Sequence, residues 1–205
     1  MLYSQQDKKD TGSYGIMKNA GKTALSLFLS ALFVFCLLLP AGAKTGFQQA
    51  IDEYAKNINA AVVYDMTAGK QLYAKNEKAQ IAIASTTKLV TSLVALDITG
   101  PDTVITVGDE ISLIKPNSSV SLIRPGHKLK MRTLIAAMLL PSGNDAAYTV
   151  AVNAARIHSG RADMKNEDAV KYFCNLMNEY VRRLGCTSTY FVNPEGWDDP
   201  NHFST

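Results

Sequence analysis

The chain has 205 residues, enough for one domain with a sizeable core, and its 47% hydrophobic and 19% charged content excludes a disordered polymer. A formal net charge of +3, with no basic block and no basic-aromatic pattern, excludes a nucleic-acid partner of the usual electrostatic kind. No internal repeat or low-complexity tract is present.

The first 43 residues differ from the rest. A polar start carries Lys8, Lys9, Lys18 and Lys22. It is followed by an apolar run from Ala24 to Leu39, then Pro40 and Ala41-Gly42-Ala43. A cationic segment, an apolar core and an A-x-A site have the layout of a secretory signal peptide. The run is short for a membrane span, which needs about 20 apolar residues. Residues 1–43 are therefore read as a signal peptide cleaved after Ala43, and the remainder as exported to the extracytoplasmic envelope. Cys36 follows the bulky Phe35, so no lipidation site is read there. Cys174 and Cys186 could pair in an oxidising compartment, although two small buried residues is the plainer reading. Neither has a His or Cys neighbour at metal-ligand spacing, so no metal is expected.

In chain order, Phe47, Ala50, Ile51, Tyr54 and Ile58 have helical spacing, and residues 47–57 are predicted as an amphipathic helix. Residues 60–66 and 71–74 read as strands joined by Thr67-Ala68-Gly69-Lys70, a hairpin. A loop over 76–84 leads to Ser85, a residue suited to an N-cap. The run Leu89 to Leu96 after it is apolar on most sides and predicts a buried helix ending at Gly100-Pro101. Short strands are predicted at 104–107 and within 120–131, with turns at Lys115-Pro116-Asn117 and Pro125-Gly126. Helices follow over 131–140, about 145–157, and from a cap at Asn166 to about Leu184. Residues 189–192 read as a strand and 193–200 as a loop. The pattern predicts an α+β or α/β protein with a helical insert.

Two short motifs carry chemistry. Ser85 and Lys88 are three residues apart, so on a helix they share a face, and a hydroxyl beside an amine is a candidate nucleophile and base. S-x-x-K alone is weak, since it arises by chance about once in 200 residues. A second copy, Ser112 to Lys115, runs into Pro116 and has no helix to present it. The other motif is Ser142-Gly143-Asn144, the chain's single S-x-N, set between two predicted helices. Its hydroxyl can relay a proton and its amide can hold a lysine and a carbonyl, although the tripeptide alone reads as a helix-cap turn.

Ser85-Thr86-Thr87-Lys88 followed by Pro141-Ser142-Gly143-Asn144-Asp145-Ala146-Ala147 resembles the serine D-alanyl-D-alanine carboxypeptidases, the low-molecular-weight penicillin-binding proteins of the peptidase S11 type. The segments from Thr189 to Gly196 and from Asp198 to Thr205 resemble the same family, so the likeness spans residues 47–205. It implies an α/β sandwich of the β-lactamase and penicillin-binding transpeptidase type, with residues 44–205 as its N-terminal part and a helical subdomain at about 100–185. It implies Ser85 as the nucleophile attacking the D-Ala-D-Ala carbonyl, and Lys88 as its base, with an amine depressed from its usual range near 10.4. Ser142 would pass the proton to the leaving D-alanine, Asn144 would orient Lys88 and the substrate amide, and the Ser85 N–H would be one oxyanion donor. Peptidoglycan stem peptides are the implied substrate and β-lactams covalent inhibitors, with neither metal nor cofactor. His202 lies in a family-like stretch and is given a structural role near the cleft; for His127 and Trp197 loop packing is the reading.

The resemblance also implies a third motif, Lys-Thr-Gly on a later strand, which binds the substrate carboxylate and supplies the second oxyanion donor. The sequence does not reach it by Thr205. Lys44-Thr45-Gly46 has the same letters upstream of the nucleophile and is not taken for it. The expectation is a chain truncated before that motif, with an incomplete central sheet, poor stability and weak catalysis, whose membrane association would run through a missing C-terminal region. Three alternatives stand beside this reading. A class A-like β-lactamase would need a Glu-x-x-Leu-Asn segment, which Glu195-Gly196-Trp197-Asp198 does not match. A peptidoglycan endopeptidase would use the same motifs. A non-catalytic exported muropeptide- or β-lactam-binding fragment would need neither base nor relay.

Overall fold

The computed structural model describes residues 46–205. The expected signal peptide of residues 1–43, its cleavage site, and Lys44 and Thr45 lie outside the described residues. Helix α1 (Gly46–Tyr54) belongs to a unit that ends at Asn57, three residues after the helix itself stops.

The second unit begins at Ile58. Strands β1 (Ala61–Asp65) and β2 (Lys70–Lys75) form the predicted antiparallel hairpin, with Ala61 opposite Lys75 and a register shift between Val63 and Tyr64. The Asp65 carboxylate closes the turn by accepting from the Thr67 and Ala68 N–H groups at 2.9 and 3.0 Å. A 3₁₀ turn, Ala84–Thr86, leads into helix α2 (Thr87–Thr99). Strand β3 (Val104–Thr106) pairs antiparallel with β4 (Lys128–Lys130), and a second 3₁₀ turn, Asp109–Leu113, lies between them. Helices α3 (Met131–Leu139), α4 (Asn144–Ser159) and α5 (Asn166–Arg183) complete a mixed α/β architecture of five helices and two small sheets among the described residues.

Helix α4 is the hub, packing against α2, α3 and α5. Its small residues Ala146, Ala147, Val150, Ala151, Ala154 and Ala155 are fully buried, so neighbouring helices can approach closely. They meet Leu134 and Met138 of α3 and Phe173 and Met177 of α5 in one core cluster, where each large side chain contributes about 1.5–3 kcal/mol. Gly160, in the left-handed region at φ 68°, ends α4.

Five local expectations are corrected. Ser85 is not an N-cap: it sits inside the 3₁₀ turn, and Thr86 occupies the cap position, its hydroxyl donating back to Ile83 O at 2.5 Å rather than capping the helix. Helix α2 is not buried all round, because Leu89 and Leu93 are 58% and 50% exposed while Thr87, Lys88, Thr91 and Ser92 are buried. Its inward face is polar but bonded: Thr91 Oγ1 donates to Pro194 O at 2.7 Å and Ser92 Oγ to Lys88 O at 2.7 Å. Of the strands predicted in 120–131 only β4 forms. The backbone before it bonds the Ser142-Gly143-Asn144 turn and its neighbour instead of a ladder, with Asn144 N donating to Ser119 O and Ser121 N to Asp145 Oδ1, both at 2.8 Å. Residues 189–192 give only an isolated bridge, Tyr190 to Phe203. The Asn178 side chain there stands in for a neighbouring strand, bonding both Phe191 N (2.8 Å) and Phe191 O (2.9 Å). At α5, Asn166 is the first helical residue rather than its cap, and its side chain bonds Arg156 and Asp109.

Candidate active site

Three of the four candidate residues come together, each delivered by a different local device. Ser85 is exposed on the 3₁₀ turn, next to Ala84, which holds a positive φ of 45°. Lys88 lies one turn on, in α2, and is only 1% exposed. Ser142 stands between α3 and α4 with φ 59°. Two non-glycine residues held in the left-handed region beside one site mark backbone over-determined by its surroundings. The Ser142 hydroxyl lies 2.8 Å from Ser85 Oγ, and Lys88 Nζ lies 3.0 Å from Ser85 Oγ and 3.3 Å from Ser142 Oγ.

Asn144 does not join this group. Its side chain is buried but makes no hydrogen bond to Lys88 among the described residues. The Glu195 main-chain carbonyl takes that place, accepting from Lys88 Nζ at 2.8 Å. Burial pushes the Lys88 amine below the ordinary lysine range, against an opposing pull from the Glu195 charge. An amine depressed by burial and touching two hydroxyls can accept a proton from one and pass it to the other.

The loop that carries Glu195 is tied down on every side. The Asn193 side chain spans it, accepting from Gly196 N (2.7 Å) and Trp197 N (3.1 Å) and donating to Trp197 O (2.8 Å). Gly196, at φ 88°, lets the loop press against the backbone before the nucleophile; a Cβ there would lie 1.8 Å from Ala84 O. Gly143 is as closely held, since a Cβ would meet Ala137 O at 2.7 Å and Ser121 Cβ at 2.9 Å. His202 is buried and links the start of α2 to the 190s segment, with Nε2 2.7 Å from Thr87 Oγ1 and Nδ1 accepting from Val192 N at 3.2 Å. Burial lowers its pKa, against the charges of Asp199 and Asp198. Cys174 is buried on α5 and Cys186 is exposed, and both are free thiols. Burial, and then the Glu195 charge, push Cys174 up to about 12.

Sequence reasoning missed Glu195, Tyr148 and Asp145. Glu195 entered only as a mismatch to a lactamase glutamate, and its contribution to Lys88 is a main-chain atom that residue identity does not signal. Its carboxyl is turned inward, where Oε1 accepts from Tyr148 OH at 2.9 Å. Asp145, in the first turn of α4, accepts from Ser121 N, Ser121 Oγ and Ile123 N at 2.8, 2.9 and 3.2 Å and so moors the loop beside Ser142.

Fold and site together define a class before they define a family. The structure is similar to the Streptomyces K15 DD-transpeptidase, with a TM-score of 0.63 and 27% identity over 72% of this chain and 55% of that one. It is also similar to penicillin binding protein 5 from Haemophilus influenzae, with a TM-score of 0.58 and 30% identity over 72% of this chain and 41% of that one. Residues 44–205 match the peptidase S11 family, D-alanyl-D-alanine carboxypeptidase, and the chain belongs to that family. Among its relatives are the D-alanyl-D-alanine carboxypeptidase DacD of Salmonella typhimurium, 32% identical over 87% of this chain and 45% of the relative, and a D-alanyl-D-alanine endopeptidase of Pseudomonas aeruginosa, 30% identical over 88% and 53%. The chain spans about half the length of the curated relatives it matches.

Proposed function

We propose that the chain is part of an exported serine-type D-Ala-D-Ala carboxypeptidase that removes the terminal D-alanine of peptidoglycan stem peptides. One observation carries the reading: a buried, depressed amine within hydrogen-bond reach of two serine hydroxyls, Ser85 and Ser142. In this mechanism neutral Lys88 takes the Ser85 proton as Oγ attacks the penultimate carbonyl. The tetrahedral oxyanion is met by the Ser85 N–H at the helix start. The proton passes through Ser142 to the leaving D-alanine nitrogen, the C–N bond breaks, and water hydrolyses the ester on Ser85. Asn144 contributes to substrate binding. A β-lactam enters the same route, and its ester on Ser85 persists.

On this reading residues 44–205 are the N-terminal part of the catalytic domain, residues 100–185 its helical subdomain, and residues 1–43 the export signal. The inward carboxyl of Glu195 argues against a lactamase-type water activator at that position. The endopeptidase alternative keeps the support of the Pseudomonas relative, and substrate choice separates the two. The test uses the full chain with a stem pentapeptide ending in D-Ala-D-Ala and a cross-linked muropeptide dimer. Release of free D-alanine that disappears in Ser85→Ala supports the carboxypeptidase. Cleavage of the dimer alone moves the assignment to the endopeptidase, and no Ser85-dependent turnover of either removes it.

A further inference from the structure

Among the described residues, five that are not glycine hold a positive φ: Asn76, Ala84, Asn117, Leu122 and Ser142. The two asparagines adopt this region at little cost, because their short amides can bond locally. Ala84 and Ser142 belong to the active site: Ala84 precedes Ser85 in the chain, and the Ser142 hydroxyl lies 2.8 Å from Ser85 Oγ. The fifth is Leu122, at φ 61°. A leucine in the left-handed region is a conformational outlier. It is also 75% exposed, so burial in the core does not offset the strain.

One buried carboxylate holds Leu122 in this state. Asp145 is 3% exposed and accepts from Ser121 N at 2.8 Å through Oδ1 and from Ile123 N at 3.2 Å through Oδ2. The N–H groups on either side of Leu122 are thus drawn to one inward anchor, and Leu122 forms the solvent-side crest of the turn. The turn is fastened to the Ser142-Gly143-Asn144 tripeptide. Asn144 N donates to Ser119 O at 2.8 Å, and a Cβ on Gly143 would lie 2.9 Å from Ser121 Cβ. Glycine or asparagine would take the same backbone conformation with less strain, and asparagine would also suit solvent. Leucine is the worse choice on both counts unless an apolar group arrives from outside the fold to cover it.

We propose that Leu122 is a specificity-determining residue: held on the rim beside Ser142-Gly143-Asn144, it contacts an apolar side chain of the acyl donor, the part of the substrate that stays on Ser85. The proposal rests on the acyl-transfer reading of Ser85, Lys88 and Ser142. The leaving D-alanine offers only a methyl and a carboxylate, whereas the donor continues into further side chains large enough to cover a leucine. The turn also hangs on Asn144, the residue proposed above for substrate binding. Because Asp145 fixes the turn from below, the leucine is in place before the ligand arrives, and little ordering opposes the contact.

The test uses two penicillins with the same bicyclic core and amide: benzylpenicillin, whose acyl side chain ends in an apolar ring, and 6-acetamidopenicillanic acid, which ends in a methyl. Each is measured on the full chain as a second-order acylation rate, and in a Ser85→Ala background as a dissociation constant. The parent should prefer benzylpenicillin. That preference should fall about tenfold in Leu122→Gly and Leu122→Asn and stay within about threefold in Leu122→Met. Leu122→Asn should melt at the parent's temperature or above, since it relieves strain and removes no buried contact. A parent without the preference, or a preference that survives Leu122→Gly, overturns the proposal. So does an equal fall in both rates, which would mean a loosened turn, and so does Leu122→Asn melting several degrees lower, which would make the leucine a packing residue. If the wild type is not acylated, yet the dissociation constants show the preference and lose it in Leu122→Gly, the functional reading alone falls.

Discussion

Replacing Gly196 by alanine is the sharpest perturbation the fold offers. An alanine Cβ would lie 1.8 Å from Ala84 O and 2.3 Å from Ala84 C, and both are backbone atoms that cannot rotate away. Holding a non-glycine residue at φ 88° costs about 1–2 kcal/mol by itself. Relieving the overlap requires the two chain segments to part by more than about 1 Å, which adds about 1–3 kcal/mol in a well-packed site. The sum is a loss of about 2–5 kcal/mol. The displaced segment is the one that carries Ser85, so acylation of the folded fraction should fall by about 100-fold. Gly126→Ala is the control, because its φ of 91° is nearly the same but nothing lies within 4 Å of its Cβ. Denaturant titration of both variants, with penicillin labelling on the same samples, separates dihedral cost from collision. Equal stability losses in the two variants, or wild-type labelling in Gly196→Ala, would refute the close-approach argument.

Further outcomes follow from the same geometry. The reactive form of Lys88 is the neutral amine, so the acylation rate should rise with pH through a midpoint below the ordinary lysine range; a pH–rate profile with its midpoint near 10.4 contradicts burial as the activating cause. His202 has its folded-state pKa below the unfolded value, so the unfolded chain binds the extra proton and stability is lost as pH falls below about 6.5. His202→Asn should flatten that part of the stability–pH curve, and an unchanged slope assigns it to other groups. Asp145→Ala removes the charged acceptor of Ser121 N and Ile123 N and should cost about 3 kcal/mol in denaturant titration, with slower acylation as the loop beside Ser142 loosens. Asn178→Ala strips partners from both Phe191 N and Phe191 O and should cost about 2–4 kcal/mol, whereas a loss under about 1 kcal/mol would mean that other groups replace the side chain.

The legible parts of the molecule were those written in local pattern. Turn chemistry at Thr67 to Lys70 gave the hairpin, apolar periodicity gave the helices, and the spacing of Ser85 and Lys88 gave one shared face. What escaped depends on tertiary choices. Leu89 and Leu93 mark α2 as apolar, yet the fold turns Thr91 inward onto the Pro194 carbonyl, and Ser92 beside it satisfies its hydroxyl within the helix on Lys88 O. Residues 189–192 have strand composition, but a side chain, Asn178, supplies the ladder partner. The third ligand of Lys88 is a backbone oxygen, which any residue at 195 would carry, so identity could not announce it. Asn144 had the right chemistry at the right spacing for that task, and only the path of the loop gives it to Glu195 instead.

Ser85 Oγ is the atom on which the proposed chemistry turns. Incubating the full chain with a labelled penicillin, digesting it and locating the adduct by mass spectrometry tests this directly. A single adduct on Ser85, absent from Ser85→Ala and strongly slowed in Lys88→Met, is the expected result. An adduct on Ser142 or another residue, or labelling that survives Ser85→Ala, would contradict it.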